Sequence, residues 1–262
     1  EIDQSLIENL KRSLKHRGPD NSSHKYLKKN ICFVHTRLSI IDLNDRSNQP
    51  LSAEDDKYSI VFNGEIYNYK ELREELIQFG FNFETNGDTE VLLKGYIKHG
   101  SNILSKLRGQ FAFAIYDREN NELFLARDRV GIKPVYYLTA KNNFIFSSEL
   151  KAIENLGLVK FKPNKDAYVS YLRHLCVPQN QTGNENIYKL QPGEFMKIDN
   201  KGKFELINYW DPFDIKVNED ITLSESKSQL NKLLIESVEY RKVSDVEVGL
   251  FISGGLDSSL LG

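Results

Sequence analysis

The sequence is poor in cysteine: Cys32 and Cys176 are the only two among 262 residues. So few cannot build a disulfide framework, and a reducing cytoplasm is the simpler setting for them. It also lacks an excess of either charge, since 35 Lys and Arg against 37 Asp and Glu leave a net charge of −2. That balance excludes nucleic acid and anionic membranes as partners engaged through bulk charge. No apolar run approaches the roughly 18 residues of a membrane span. Internal repeats and low-complexity segments are absent, and no signal-peptide pattern is visible, although the true N-terminus is expected upstream. A chain of this length carries one or two domains and can bury a sizeable core.

The most informative stretch is Ser253-Gly254-Gly255-Leu256-Asp257-Ser258-Ser259. It follows Val248-Gly249-Leu250-Phe251-Ile252, which reads as a buried strand over 246–252. A strand, then Ser-Gly-Gly, then a helix start turns backbone amides toward a phosphate. The glycines let the main chain approach the anion, the helix terminus adds partial positive charge, and the hydroxyls of Ser253, Ser258 and Ser259 add donors. No Gly-Lys-Ser/Thr follows, so this is not a Walker loop. A nucleotide-binding sheet needs several parallel strands. Only one strand and the first turn of its helix are present, so the chain is expected to be part of a longer protein.

The elements alternate in type along the chain. The periodicity predicts a helix over 3–16, with Leu6, Leu10 and Leu14 on one face, stopped by Gly18-Pro19. Strands are expected at 31–36, 58–62, 110–116, 123–126, 135–137 and 144–146, the last after an Asn142-Asn143 turn. Helices are expected at 70–78, from Gly87-Asp88-Thr89-Glu90 onward, and at 149–154, 165–173 and 224–242. Strands 194–198 and 204–208 should pair across Asp199-Asn200-Lys201-Gly202. Tyr209-Trp210-Asp211-Pro212 reads as a hinge. The 224–242 helix, with Leu230, Leu233, Leu234 and Val238 on one face, would open a second domain.

Five runs in the first part stand out: His16 to Asp20, Arg37 to Asp42, Asn63 to Asn68, Gly87 to Glu90, and Arg127 to Pro134. With the Ser253 loop they come in the order found in glutamine-hydrolysing asparagine synthetases. The chain resembles that family: a class II glutamine amidotransferase domain over 1–210, followed over 211–262 by the start of an ATP pyrophosphatase domain. The resemblance implies an α+β fold, a layered α/β/β/α N-terminal-nucleophile glutaminase, then the first helix and strand of an α/β nucleotide-binding domain.

It also implies roles. Asn63 and Gly64 would form an oxyanion hole, an amide side chain and a backbone N–H aimed at developing negative charge. Arg37 would grip the α-carboxylate of glutamine through a bidentate fork, at the head of the contact run Leu38, Ser39, Ile40 and Ile41. Asp88, with Glu65 and the Gly64 backbone, would take the α-ammonium. Phe251, Ser253, Gly254, Gly255, Asp257 and Ser258 would bind ATP, and Asp257 is a possible ligand for Mg²⁺. The substrates would be glutamine, ATP and aspartate; the resemblance places the enzyme in the cytoplasm and allows a homodimer. The nucleophile of these glutaminases is an N-terminal cysteine whose own amine is the base. It should lie on a strand upstream of Glu1, because Cys32 and Cys176 have no free α-amine. Residues 1–262 alone are therefore expected to hydrolyse neither glutamine nor ATP.

Other readings stay open at this point. Arg37 could be a structural ion-pairing residue, and Asp88 could cap the helix that follows it. Arg127 to Pro134 reads as a shape-setting bend, and His16 and His35 as structural. The acceptor could be another carboxylate, of the surface-polysaccharide or β-lactam type. A catalytically dead paralogue serving as a binding module is the third possibility.

Overall fold

The computed structural model describes residues 2–140, 143–178 and 180–262. Helix α1 (Gln4–Leu14) starts at Asp3, whose carboxylate accepts the Ser5 N–H at 2.9 Å. A hairpin follows, β1 (Asn21–Lys28) against β2 (Ile31–Arg37). The sequence shows β2 but hides β1, which is polar up to Lys25 and buries only Leu27.

The centre is an antiparallel six-stranded sheet. In spatial order it runs β11 (Phe204–Asn208), β10 (Glu194–Ile198), β6 (Glu122–Arg127), β5 (Gly109–Asp117), β4 (Tyr58–Ile66) and β3 (Leu51–Ala53). Successive side chains on a strand point to opposite faces. Phe111, Phe113 and Ile115 of β5 therefore join Ile60, Phe62 and Phe124 in a core beneath α2 (Tyr69–Gln78) and α3 (Asp88–His99). Ala112, Ala114 and Tyr116 point the other way, toward Phe33, Val135 and Leu190. The Phe-Ala-Phe-Ala run thus places large rings under the helices and small residues where a second layer of strands comes close.

That second layer is divided. One part is the β1–β2 hairpin; the other is the three-stranded sheet β8 (Asn143–Ser147), β7 (Tyr136–Ala140), β9 (Ile187–Lys189). Helix α1 packs across β2 and against α5 (Leu150–Glu154), which covers β8, so the order of layers is α/β/β/α. Two more helices, α4 (Ile103–Lys106) and α6 (Lys165–His174), flank the layers. Of the expected Asn142-Asn143 turn, Asn142 lies outside the described residues, and Asn143 opens β8.

Two expectations need correction. The 58–62 strand continues to Ile66, because β5 pairs with it through Ile66 opposite Gly109. Residues 246–252 do not form a strand: the segment is irregular and Phe251 is 99% exposed. A strand needs neighbours to take its N–H and C=O groups, and the described residues provide none for this segment. The helix before it does form. It is α7 (Leu223–Arg241), held at its start by a Thr222–Glu225 capping box. The contacts that tie it to the sheet domain lie toward its C-terminal end. Arg108 donates to Glu236 (2.9 Å) and Tyr240 (3.1 Å), Arg241 lies 5.5 Å over the Tyr67 ring, and Val243 packs on the main core, while Leu230 and Leu233 are exposed. A last short helix, α8 (Leu256–Leu261), ends the chain.

Phe124 sits where α3 meets the sheet, 4.9 Å from Tyr96 and 5.0 Å from Phe195 between ring centroids. Phe124→Ala should destabilise the chain by about 3–5 kcal/mol, measured as the shift in urea unfolding free energy. A loss below about 1 kcal/mol would mean that the rings repack around the gap.

Candidate functional site

A cavity of about 1320 Å³ opens between β2 and β8, the facing edges of the two second-layer sheets. Arg37, Leu38, Ile40, Ile41, Asn63, Gly64, Glu65 and Asp88 all line it. Residues from three of the sequence runs thus meet at one place. Ser39 does not line the cavity; its N–H is taken by Asp20 Oδ2 at 2.7 Å.

Asn63 and Gly64 are delivered by β4. A Cβ at Gly64 would stand 2.1 Å from the Gln110 carbonyl, and its φ is +155°, so the close β4–β5 approach admits only glycine. The Asn63 amide donates to Ser148 Oγ at 3.3 Å, which aims it across the cavity toward the end of β8. Nothing in the sequence pointed to Ser148.

Arg37 is buried, and its fork is already engaged. Nη1 donates to the Asn44 carbonyl (3.0 Å) and Asn48 Oδ1 (2.8 Å); Nη2 donates to the Ile41 and Asp42 carbonyls. Four of its five N–H groups therefore organise the loop that follows it, through neutral acceptors and not through an ion pair. The His16–Asp20 run braces the same loop. A Cβ on Gly18 would meet the Thr36 backbone at 2.2 Å, and the Asp20 N–H donates to the Arg37 carbonyl at 3.0 Å.

Asp42 is the hub. Its Oδ2 accepts from Ser47 Oγ (2.7 Å), the Asn86 N–H (2.7 Å) and Arg46 Nε (3.3 Å). Burial pushes its carboxyl upward, but these donors outweigh it and hold the group below its ordinary value.

Asp88 is not the cap residue of α3. Gly87 occupies the cap position, and Asp88 is the first helical residue, its Oδ2 accepting the Ile66 N–H at 2.9 Å. Burial, and then the nearby Glu65 carboxylate, push Asp88 up to about 7, against hydrogen bonds that pull it down. Glu65 is raised by burial too, with Lys133 opposing. Two desolvated carboxylates facing a cavity are an electrostatic demand for a cation.

Lys133 comes from the bend over residues 127–134. Asp128 shapes that bend by accepting the N–H groups of Phe111 (3.2 Å), Ile132 (2.9 Å) and Lys133 (2.9 Å), while Arg127 donates to three loop carbonyls. His35 contacts the Phe62 carbonyl through Nε2 at 3.2 Å, and burial lowers it to about 4, so it is neutral at pH 7. Cys32 lines the cavity, but burial raises its thiol away from the thiolate form. Cys176 is exposed.

The Ser253 loop lies outside the cavity. Gly254 has φ +79°, Ser253 Oγ and Ser258 Oγ are 3.0 Å apart, and the Gly255 N–H donates to Ser253 Oγ at 3.4 Å. Asp257 is in the first turn of α8, and no group of three metal-ligating side chains occurs among the described residues.

The glutamine amidotransferase domain family model matches residues 1–210. The chain belongs to that family. Residues 229–262 match the asparagine synthase model. Among curated relatives, asparagine synthetase [glutamine-hydrolyzing] 1 of Bacillus subtilis is 38% identical over 98% of this chain and 40% of its own length. Putative asparagine synthetase [glutamine-hydrolyzing] 2 of Methanocaldococcus jannaschii is 37% identical over 99% of this chain and 53% of its own length. The chain thus spans about half, or less, of these relatives. The solved glutamine phosphoribosylpyrophosphate amidotransferase of B. subtilis, complexed with ADP and GMP, aligns with 68% of this chain and 35% of its own. Its TM-score is 0.50 at 22% identity. A second, titled as the allosteric regulatory enzyme of purine biosynthesis, covers 84% of this chain and 45% of its own at TM-score 0.51 and 20% identity. Both share the fold of the amidotransferase domain.

Asp88 makes the stability of this domain depend on pH in a definite direction. Its ordinary value is 3.8 and its folded value about 7, so between them the folded state holds a proton that the unfolded state releases. Stability therefore falls as pH rises through that window. Asp88→Asn keeps an acceptor for the Ile66 N–H and removes the charge. The variant should be more stable than the parent at pH 8, on the order of a few kcal/mol, with the gap closing near pH 4. His35 acts oppositely: its ordinary value of 6.5 drops to about 4, so its contribution is complete above 6.5 and is lost as pH falls toward 4. In the variant, stability between pH 4 and 6.5 should then rise with pH, as urea midpoints across that range would show.

Proposed function

We propose that this chain is the glutaminase part, and the beginning of the ATP-using part, of a glutamine-dependent asparagine synthetase. The observation that carries it is the meeting of Asn63, Gly64, Arg37, Glu65 and Asp88 in one cavity of an amidotransferase domain that continues into an asparagine synthase match. The division at about residue 210 is part of the same reading.

Glutamine binds with its α-ammonium against Glu65 and Asp88, which lowers the cost of both buried carboxylates. Its α-carboxylate reaches Arg37 by displacing the Ile41 and Asp42 carbonyls, because a charged acceptor makes the stronger hydrogen bond to a guanidinium. The attacking thiol belongs to an N-terminal cysteine on a strand laid between the edges β2 and β8. Its α-amine takes the thiol proton, sulfur bonds to the side-chain carbonyl carbon, and Asn63 and Gly64 receive the oxyanion. Collapse returns the proton from the cysteine's α-ammonium to the departing nitrogen, expels ammonia and leaves a thioester, which water cleaves to glutamate. In the second part, aspartate attacks ATP and releases pyrophosphate, and ammonia displaces AMP to give asparagine. Phe251, Ser253, Gly254, Gly255 and Ser258 hold the nucleotide. Asp257 supplies one carboxylate, which suits Mg²⁺ shared with phosphates, where the ion neutralises their charge. The reading also takes the enzyme to be cytoplasmic and allows a homodimer, as the family resemblance does.

The full-length protein should release ammonia from glutamine and form asparagine from aspartate and ATP. Asn63→Ala should lower glutaminase kcat by about 10²–10³ and leave ammonia-driven synthesis intact. Glutamine hydrolysis without asparagine would move the assignment to a sister amidotransferase with another acceptor carboxylate. Separately, Asp257→Asn should abolish ATP–pyrophosphate exchange and spare the glutaminase; exchange at the parent rate would remove Asp257 from the mechanism.

A further inference from the structure

Asp245 lies between α7 and the Ser253 loop, in the part matched by the asparagine synthase model. It nevertheless reaches into the amidotransferase cavity wall. Its backbone N–H donates to the Ile40 carbonyl at 2.9 Å, and its Oδ2 accepts the Asp42 N–H at 2.7 Å. Both partners sit on the loop that follows Arg37.

That loop is held in an unfavourable shape. Asp42 has φ +48°, the left-handed region that a non-glycine residue occupies only when its surroundings over-determine it. The surroundings are three. The Asp42 carbonyl takes Arg37 Nη2, its carboxylate takes Ser47 and the Asn86 N–H next to Asp88, and its own N–H goes to Asp245. The first two ties come from the amidotransferase domain itself. The third comes from the other side of α7, which also touches Arg108 and Tyr67, the residues flanking the Asn63–Ile66 strand end.

We propose that Asp245 is a positioning residue for the glutamine site: it holds the loop at residues 38–42 from the segment that leads into the Ser253 loop. The consequence for glutamine rests on the glutaminase reading of the cavity; the tether itself does not. By linkage, a ligand that favours one placement of Asp245 shifts glutamine affinity by the same factor that glutamine shifts its own.

The test uses the full-length protein with Asp245→Ala and Asp245→Asn. Asp245 is exposed, so neither substitution opens the core. Asparagine keeps an acceptor oxygen for the Asp42 N–H, and alanine has none. Asp245→Ala should raise KM for glutamine about fivefold, with kcat within about twofold, and Asp245→Asn should restore KM to within about twofold of the parent. Amide hydrogen exchange across residues 40–44 should quicken in the alanine variant only. Unchanged KM together with unchanged exchange would overturn the proposal, as would equal losses in both variants. If the parent hydrolyses no glutamine, the glutaminase reading fails, and exchange alone then decides whether Asp245 holds the loop.

Discussion

Nine residue pairs zip β4 to β5, from Tyr58 opposite Asp117 to Ile66 opposite Gly109. This ladder sets the rest. It puts Phe62, Phe111 and Phe113 on the helix side and Val61, Ala112 and Ala114 on the other, so each strand feeds two cores at once. It also brings the backbones so near at Gly64 and Gly109 that a Cβ at either would meet a carbonyl oxygen, at 2.1 Å and 2.2 Å. The strand end bearing Asn63 and Gly64 is therefore packed too closely against β5 to admit a side chain at either glycine.

Around that strand end the chain gathers buried charge. Glu65 and Asp88 are desolvated carboxylates kept near one another, and Asp88 is pushed to about 7 as a result. Such an arrangement costs folding stability and is sustained by the cores beneath it. Arg37 is handled differently. Loop carbonyls occupy its guanidinium, so the charge is satisfied and the loop takes its shape from it. The cavity thus has two unneutralised carboxylates on one side and a guanidinium already satisfied by the loop on the other.

The legible parts of the fold were those with a strong local pattern. Helices α1, α2, α5, α6 and α7 and the β10–β11 hairpin fall within a residue or two of where periodicity and turn residues put them. Strand β1 was hidden because its partner and its single buried Leu27 are matters of pairing, and Asn-Ser-Ser-His-Lys has no apolar alternation to show. The opposite error occurred at 246–252, where the apolar pattern is strong but no neighbouring strand stands beside it among the described residues. Pattern says what a segment would bury; only neighbours decide whether it does.

Sequence alone determined the class of the protein, because ordered runs from His16 to the Ser253 loop carry the resemblance. It also marked Asn63, Gly64, Arg37 and Asp88 as residues to watch. Tertiary structure decided how they stand: that Arg37 spends its donors on residues 41–48, that the Asp88 carboxylate is tied to Ile66, that Ser148 and Lys133 line the same cavity, and that Asp245 holds the Asp42 N–H. These are contacts between residues 22 to 203 positions apart for Ile66–Asp88 and Asp42–Asp245. Hydrogen bonding and desolvation act through space, and no pattern along the chain records which distant groups the fold will bring within about 3 Å of each other.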